Sequence, residues 1–298
     1  MKKGKVLVAL FSVFFSAFTL CAEELKIMSF NVRYNSPKDL GENSWDVRKG
    51  AVVNLIKKMT PDVVGLQEPR TIQRTYLKES LPEYVYMEVP GTGDGRGGNV
   101  GLIYRSDKFD KVDGGFFYLG PTPDVPSPSF DAPDSTWRVT VWVKLRDKKS
   151  GKEFTAMSTH LPVRTKPHLA AEPYVRSRFH ASQLNVKRLK DIAGEDGTCF
   201  IVGDMNCSLQ KADGSINHDG VKALSPYHEW MEDARKFDEH PEINSFNAFG
   251  KGEDSPHRKI DHIYYRNAEP ISFVTITKPV DCLKYVSDHY PLMLTCRY

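Results

Sequence analysis

The sequence lacks most of the features that fix a protein class early. Charge of one sign is not in excess: 41 Lys and Arg stand against 38 Asp and Glu in 298 residues, a formal net charge of +3. Proteins that grip long nucleic acid through many phosphates usually carry a marked basic excess, so this balance disfavours that class. Cysteine is scarce, with five in the chain, too few for a chain of this length to depend on a disulfide scaffold. No apolar run reaches the roughly 20 residues that span a bilayer comfortably. The H-E-x-x-H zinc motif is missing, as is the G-x-S-x-G elbow of serine hydrolases. No repeat of fixed period occurs, which excludes a solenoid.

What is present begins with a leader. Lys2, Lys3 and Lys5 precede an apolar run over residues 6–20, after which "CAEELK" turns polar. That layout reads as a secretory signal peptide over residues 1–22, with cleavage after Ala22 and an exported domain at 23–298. Lipidation at Cys21 is the alternative, although "FTLC" lacks the usual small residue before the cysteine. Removing the leader removes those three lysines and no acids, so the net charge falls from +3 to about zero. Cys199, Cys207, Cys282 and Cys296 remain. They either form two disulfides or serve as small buried residues.

Apolar segments rich in Val, Ile, Phe and Tyr predict strands at 25–34, 62–67, 84–89, 99–104, 108–119, 136–146, 153–161, 198–203, 260–265, 271–277 and 291–296. Helical spacing of Val47, Ala51, Leu55 and Met59 predicts a helix with Ser44 as N-cap and Thr60-Pro61 as its stop. Further helices are expected over 174–192 and near 221–236. The mixed order gives an α+β class, compatible with two sheets packed face to face and flanked by helices. "GTGDGRGG" at 91–98 formally contains G-x-G-x-x-G, but it leads into a strand rather than a helix, so it reads as a hairpin turn. The proline-rich stretch 121–133 reads as a long surface loop.

Several predicted strands end in polar chemistry. The strand at 25–30 runs into Asn31, that at 63–67 into Glu68, that at 154–159 into His160, and that at 199–203 into Asp204 with Asn206 close behind. Asp261 opens "HIYY", and Asp288-His289 precede the last apolar run. Singly, each is an ordinary turn, cap or hydrogen-bonded pair. Together they predict one cleft on the rim of a sandwich.

At these residues the chain resembles the endonuclease/exonuclease/phosphatase superfamily. The resemblance rests on "SFNVRY", "VVGLQE", "STHL", "IVGDMN", "KIDHIYY" and "SDHYPL" in family order. The opening "SFNVRYNSPKDLGENSWDVRKG" is similar to the secreted bacterial members. The resemblance implies a DNase I-like four-layer α/β/β/α sandwich with two mainly antiparallel sheets. It implies a metal-dependent phosphoesterase in which water attacks phosphorus in line. Glu68 and Asp288 would be ligands of Mg²⁺ or Mn²⁺, with Asn31 beside the metal. Asp204 would orient or deprotonate the water, Asn206 and His160 would hold phosphoryl oxygens, and Asp261 would fix the tautomer of His289. Physical chemistry agrees: a hard cation takes carboxylate oxygens and needs no thiolate, and charge at phosphorus must be offset by a metal and by neutral or cationic donors.

The substrate stays open. Arg164, Lys166, His168, Arg176 and Arg178 form either a basic lip for a second anionic group or a solvated loop and first helical turn. Arginine signatures of the inositol 5-phosphatases are missing after "GDMN". A small phosphoester, phospholipid head group or phosphorylated sugar is expected, with a secreted nuclease or a non-catalytic binding protein as alternatives. Trp45, Asp46 and Arg48 are expected to anchor the first helix, and the protein to be a monomer.

Overall fold

The computed structural model describes residues 24–87, 89, 99–130, 132, 137–164, 168–251 and 258–298. The leader with Cys21, the glycine-rich loop 91–98 and Lys166 lie outside the described residues. In chain order the elements are β1 (Glu24–Asn31), α1 (Trp45–Met59), β2 (Val63–Gln67), α2 (Thr71–Ser80), β3 (Tyr84–Met87), β4 (Val100–Arg105), β5 (Phe109–Tyr118), β6 (Val139–Asp147), β7 (Glu153–His160), α3 (Glu172–Ala193), β8 (Cys199–Asp204), α4 (His218–Trp230), β9 (Glu232–Asp233), β10 (Asp261–Arg266), β11 (Glu269–Thr275) and β12 (Leu292–Arg297).

The strands form two six-stranded sheets, ordered β11-β12-β1-β2-β4-β3 and β5-β6-β7-β8-β10-β9. Among the described strands β1 with β2 and β7 with β8 pair in parallel and the other strand pairs are antiparallel; each parallel pair is joined through a helix, as parallel neighbours require. Successive residues of a strand face opposite ways, and both faces here are covered. Ile27, Val63, Leu102 and Leu294 of the first sheet meet Val141, Ala156, Val202 and Ile263 of the second. On its outer face the first sheet packs Met28, Phe30 and Leu66 against Val52, Ile56 and Leu77 of α1 and α2. The second sheet packs Met157, Ile201 and Tyr264 against Val175, Leu189, Leu224 and Tyr227 of α3 and α4. The layers are therefore α/β/β/α, and burial on both faces is why the strands read as continuous apolar runs.

The alternation also aims the site. The face that carries Ile27 inward carries Asn31 inward; Ala156 leads to His160, Val202 to Asp204, and Ile263 back to Asp261. Towards that end the inner face turns polar and narrow. At Gly65 an added Cβ would lie 2.2 Å from Val202 Cγ2 and 2.9 Å from Ser158 Oγ, so no larger residue fits between the sheets. Two residues on, Gln67 Nε2 donates across the gap to Ser158 Oγ at 3.2 Å.

The structure departs from the sequence expectations in a few places. The strand at 25–34 ends at Asn31, where the chain leaves the sheet through Arg33 in a left-handed conformation (φ 55°). Helix α2 was not foreseen; it buries only Gln73 and Leu77 and so carries a weak apolar stripe. Helix α4 stops at Trp230 rather than near 236, where the chain turns into β9 and a 3₁₀ turn at Ala234–Phe237. Ser44 stands at the N-cap of α1, but its hydroxyl donates to Gly41 O at 2.9 Å instead of capping. All four described cysteines are free thiols, with Cys199, Cys207 and Cys296 buried and Cys282 exposed. No helix among the described residues is long and apolar enough to cross a membrane.

Candidate active site

Asp204, at the end of β8, is the hub of the rim. Its Oδ2 accepts from Asn31 Nδ2 at 3.1 Å and lies 3.4 Å from His160 Nε2 and 3.8 Å from His289 Nε2. Its Oδ1 accepts the backbone N–H of Asn206 at 2.9 Å. Burial alone would raise its pKa, but His160 and His289 outweigh burial and hold the carboxyl well below the usual carboxylate range. It is therefore ionised, with lone pairs on Oδ1 still free for a water.

Opposite it, His289 Nδ1 pairs with Asp261 Oδ2 at 2.8 Å. A carboxylate there fixes the proton on Nδ1 and leaves Nε2 facing Asn31 and Asp204. Burial disfavours its charge, yet Asp261 first, then Asp204 and Asp288, push the imidazole up to about 10. Ser245 Oγ accepts the backbone N–H of Asp261 at 3.0 Å, and the Phe246 ring lies 4.9 Å from that of His289.

Glu68 and Asp288 lie close enough for each carboxylate to feel the other's charge. Glu68 follows β2 with φ 66°, a left-handed conformation costly for a residue with a Cβ. Its Oε2 accepts from Tyr34 N at 3.1 Å. Asp288 is buried; burial raises it to about 6, with Glu68 adding to the rise while His289, Arg33 and Arg48 oppose it. Arg33 Nη1 lies 3.5 Å from Asp288 Oδ2. Two hard carboxylates that repel each other beside a carboxamide suit a divalent oxygen-seeking cation, and no thiolate competes. Asp204, Asp261 and His289 also place ligand atoms within 4.8 Å of one another. There, however, His289 Nδ1 is already bonded to Asp261 and Asp204 to its own donors, so the set reads as a hydrogen-bonded relay.

Arg48, expected only to anchor a helix, does more. It is fully buried and donates to Asn43 O, Val32 O, Arg33 O and Val286 O. Ser287 Oγ donates to Asn31 O at 2.6 Å, and the N–H groups of Asn247 and Ala248 meet Asp288 O. These bonds fix the segment carrying Asp288 and His289 against the exit of β1. Arg33, Asn247 and Ser245 carried no signal in the sequence beyond being polar near a motif.

The basic lip is divided. Arg178 is buried, and its Nε donates to Pro162 O at 2.8 Å, so it holds the loop after β7. Arg176 pairs with Glu172 one helical turn away. Arg164 is exposed and bonds Leu169 O at 2.6 Å. His168 lies just beyond on the same exposed loop. Asn206, with φ 51°, donates from Nδ2 to Leu161 O at 2.9 Å, tying together the ends of β7 and β8.

The model of the endonuclease/exonuclease/phosphatase family matches residues 28–289. The chain belongs to that family. All the rim residues of this family member fall within the match. Its fold is shared by a family protein from Bacteroides vulgatus, 29% identical with a TM-score of 0.77, covering 92% of this chain and 99% of that one. A mannosyl-6-phosphatase from Bacteroides thetaiotaomicron VPI-5482 is 24% identical, also with a TM-score of 0.77, covering 92% and 100%. An uncharacterized protein of Acanthamoeba polyphaga mimivirus is 28% identical over 127 residues, 40% of this chain and 47% of that protein, so the match spans under half of that relative.

Proposed function

We propose that the chain is a metal-dependent phosphoesterase. The observation that carries this reading is the convergence of Asn31, His160 and His289 on the ionised Asp204. Asp204 orients the attacking water through Oδ1, and its depressed pKa suits it better to holding that water than to removing a proton outright. His160 Nε2, Asn206 and His289 Nε2 offer donors to phosphoryl oxygens, and Asp261 holds the His289 ring. Glu68 and Asp288, with Asn31 beside them, would hold Mg²⁺ or Mn²⁺, which when bound offsets the charge gathered at phosphorus.

The near-zero charge of the chain without its leader supports a small phosphoester over long nucleic acid. A phosphorylated sugar is in keeping with the mannosyl-6-phosphatase that shares the fold. Export through residues 1–22 belongs to the same reading. The test is hydrolysis of p-nitrophenyl phosphate beside bis-p-nitrophenyl phosphate, with and without EDTA and with Mg²⁺ added back. Activity lost to the chelator and restored by Mg²⁺ is expected, and the preferred compound separates monoesterase from diesterase. No hydrolysis of either, or full activity after exhaustive chelation, would overturn the respective part.

A further inference from the structure

Asp261 and His262 are consecutive on β10, so their side chains leave opposite faces of the sheet. Asp261 meets His289 at the rim. His262 turns the other way, into the margin of a cavity of about 330 Å³ that none of the rim residues lines. The cavity lies between the outer face of β10, the chain following Asn206, and the segment after β9. His262 is 1% exposed. Its Nδ1 pairs with Asp233 Oδ2 at 3.1 Å, and its Nε2 is buried with no hydrogen-bond partner. Buried polar atoms are rarely left so.

The charges around it are unevenly matched. Asp233 is taken by His262, and Asp238 by Arg235 at 3.5 Å. Arg235 also donates to Asp261 O at 2.9 Å, and Lys236 is paired with Glu232. Lys259 lines the same cavity, half-buried, with no hydrogen bond or ion pair of its own among the described residues. Burial, with the nearby Arg235, lowers its pKa against the opposing charges of Asp238 and Glu242. One ammonium held in no ion pair and one imidazole nitrogen without a partner therefore border a small pocket whose lining acids are already paired.

We propose that this cavity is a second binding site that takes a small oxyanion, a phosphate or carboxylate group, at Lys259 and His262, the anion binding together with a proton on Nε2 because the Nδ1 proton is committed to Asp233. Leu209 and Pro241 line it too, leaving room for a compact body behind the anionic head. The site lies on the far side of β10 from the rim, and none of the rim residues lines it.

The test is a titration of the full protein with inorganic phosphate, and separately with acetate, followed by the ring ¹⁵N and ¹H signals of its histidines. His262 is assigned through His262→Gln. Saturable movement of the His262 signals is expected with at least one anion, and the stronger of the two identifies the head group. Lys259→Ala should weaken that response about tenfold or more while His289 still responds to phosphate as in the wild type. Should His262→Gln fail to fold, the histidine that responds in the wild type and not in Lys259→Ala gives the assignment. A response reproduced by sodium chloride at equal ionic strength, no response to either anion, or one unchanged in Lys259→Ala would overturn the proposal.

Discussion

Arg48 Nη1 donates to Val286 O at 2.7 Å and to Val32 O at 3.1 Å, so one guanidinium joins the exit of β1 to the segment that carries Asp288 and His289. The group is wholly buried, and burial lowers its pKa to about 10. Its five fixed donors match a ring of carbonyls that no ammonium could cover. Arg48→Lys should therefore leave several carbonyls unmet, at a cost of about 2–3 kcal/mol, or about 4–10 °C in Tm for a domain of this size. Scanning calorimetry measures this, and kcat should fall as the two halves of the rim loosen. An unchanged Tm would show that the bonds to Val32 and Val286 are dispensable.

Asp204→Asn keeps the shape of the hub and removes its charge. The amide can still accept on one atom, but it no longer attracts His160 or His289 and presents a donor to the water. We expect kcat to fall about 10²-fold or more with the far-UV spectrum kept, and Tm to fall, because a buried carboxylate held well below its usual range stabilises the folded state. A fall of less than about tenfold, which is 1.4 kcal/mol in barrier, would remove Asp204 from its role at the water.

Much of this was legible in the sequence, and the reason is periodicity. Asn31 stands four positions from inward Ile27, His160 four from Ala156 and Asp204 two from Val202, so their convergence on one rim is readable from spacing, whereas Glu68, five positions past Val63, leaves β2 in a left-handed conformation that spacing does not show. What was not legible depends on where loops return. Arg178 sits in a run of basic residues and reads like its neighbours, but α3 turns it inward to Pro162 O. Arg33 follows Asn31 without distinguishing chemistry, and only the left-handed turn there brings it to Asp288. Helix α2 escaped because Gln73, one of its two buried residues, is polar; it faces inward to donate to Arg33 O at 2.8 Å.

Arg164 and Arg178 of the basic lip should behave differently. Arg178→Ala removes a buried donor and frees Pro162 O, so it should lower Tm and reduce turnover of large and minimal substrates alike. Arg164→Ala should leave Tm within about 1–2 °C. If Arg164 grips a second anionic group, kcat/KM should drop on the natural substrate while p-nitrophenyl phosphate hydrolysis stays nearly unchanged. Added salt should shrink that difference, because an exposed charge is screened within about 8–10 Å. Equal behaviour of Arg164→Ala and wild type on every substrate would take Arg164 out of recognition.

Asp233 gives a pH dependence whose sign can be worked out. Burial would raise its pKa, but the hydrogen bond and charge of His262, helped by the backbone N–H of Arg235, bring it below the ordinary 3.8. A depressed folded-state value adds stability that is fully present above 3.8 and is lost as pH falls through the folded value. Asp233→Asn keeps the volume and removes the charge-assisted bond, worth about 1.5–3 kcal/mol, so its Tm near neutral pH should lie about 3–10 °C below wild type. The gap should hold as pH is lowered to 3.8 and close only below it. The charged groups around this carboxyl, His262 on β10, His228 on α4, and Glu232, Arg235, Lys236 and Asp238 on and after β9, are the same in both proteins, so the comparison isolates Asp233. Calorimetry of both proteins across the acid range measures the gap directly. A gap that stays constant through the lowest pH would mean that Asp233 supports His262 by shape and hydrogen bonding alone, with no contribution from its charge.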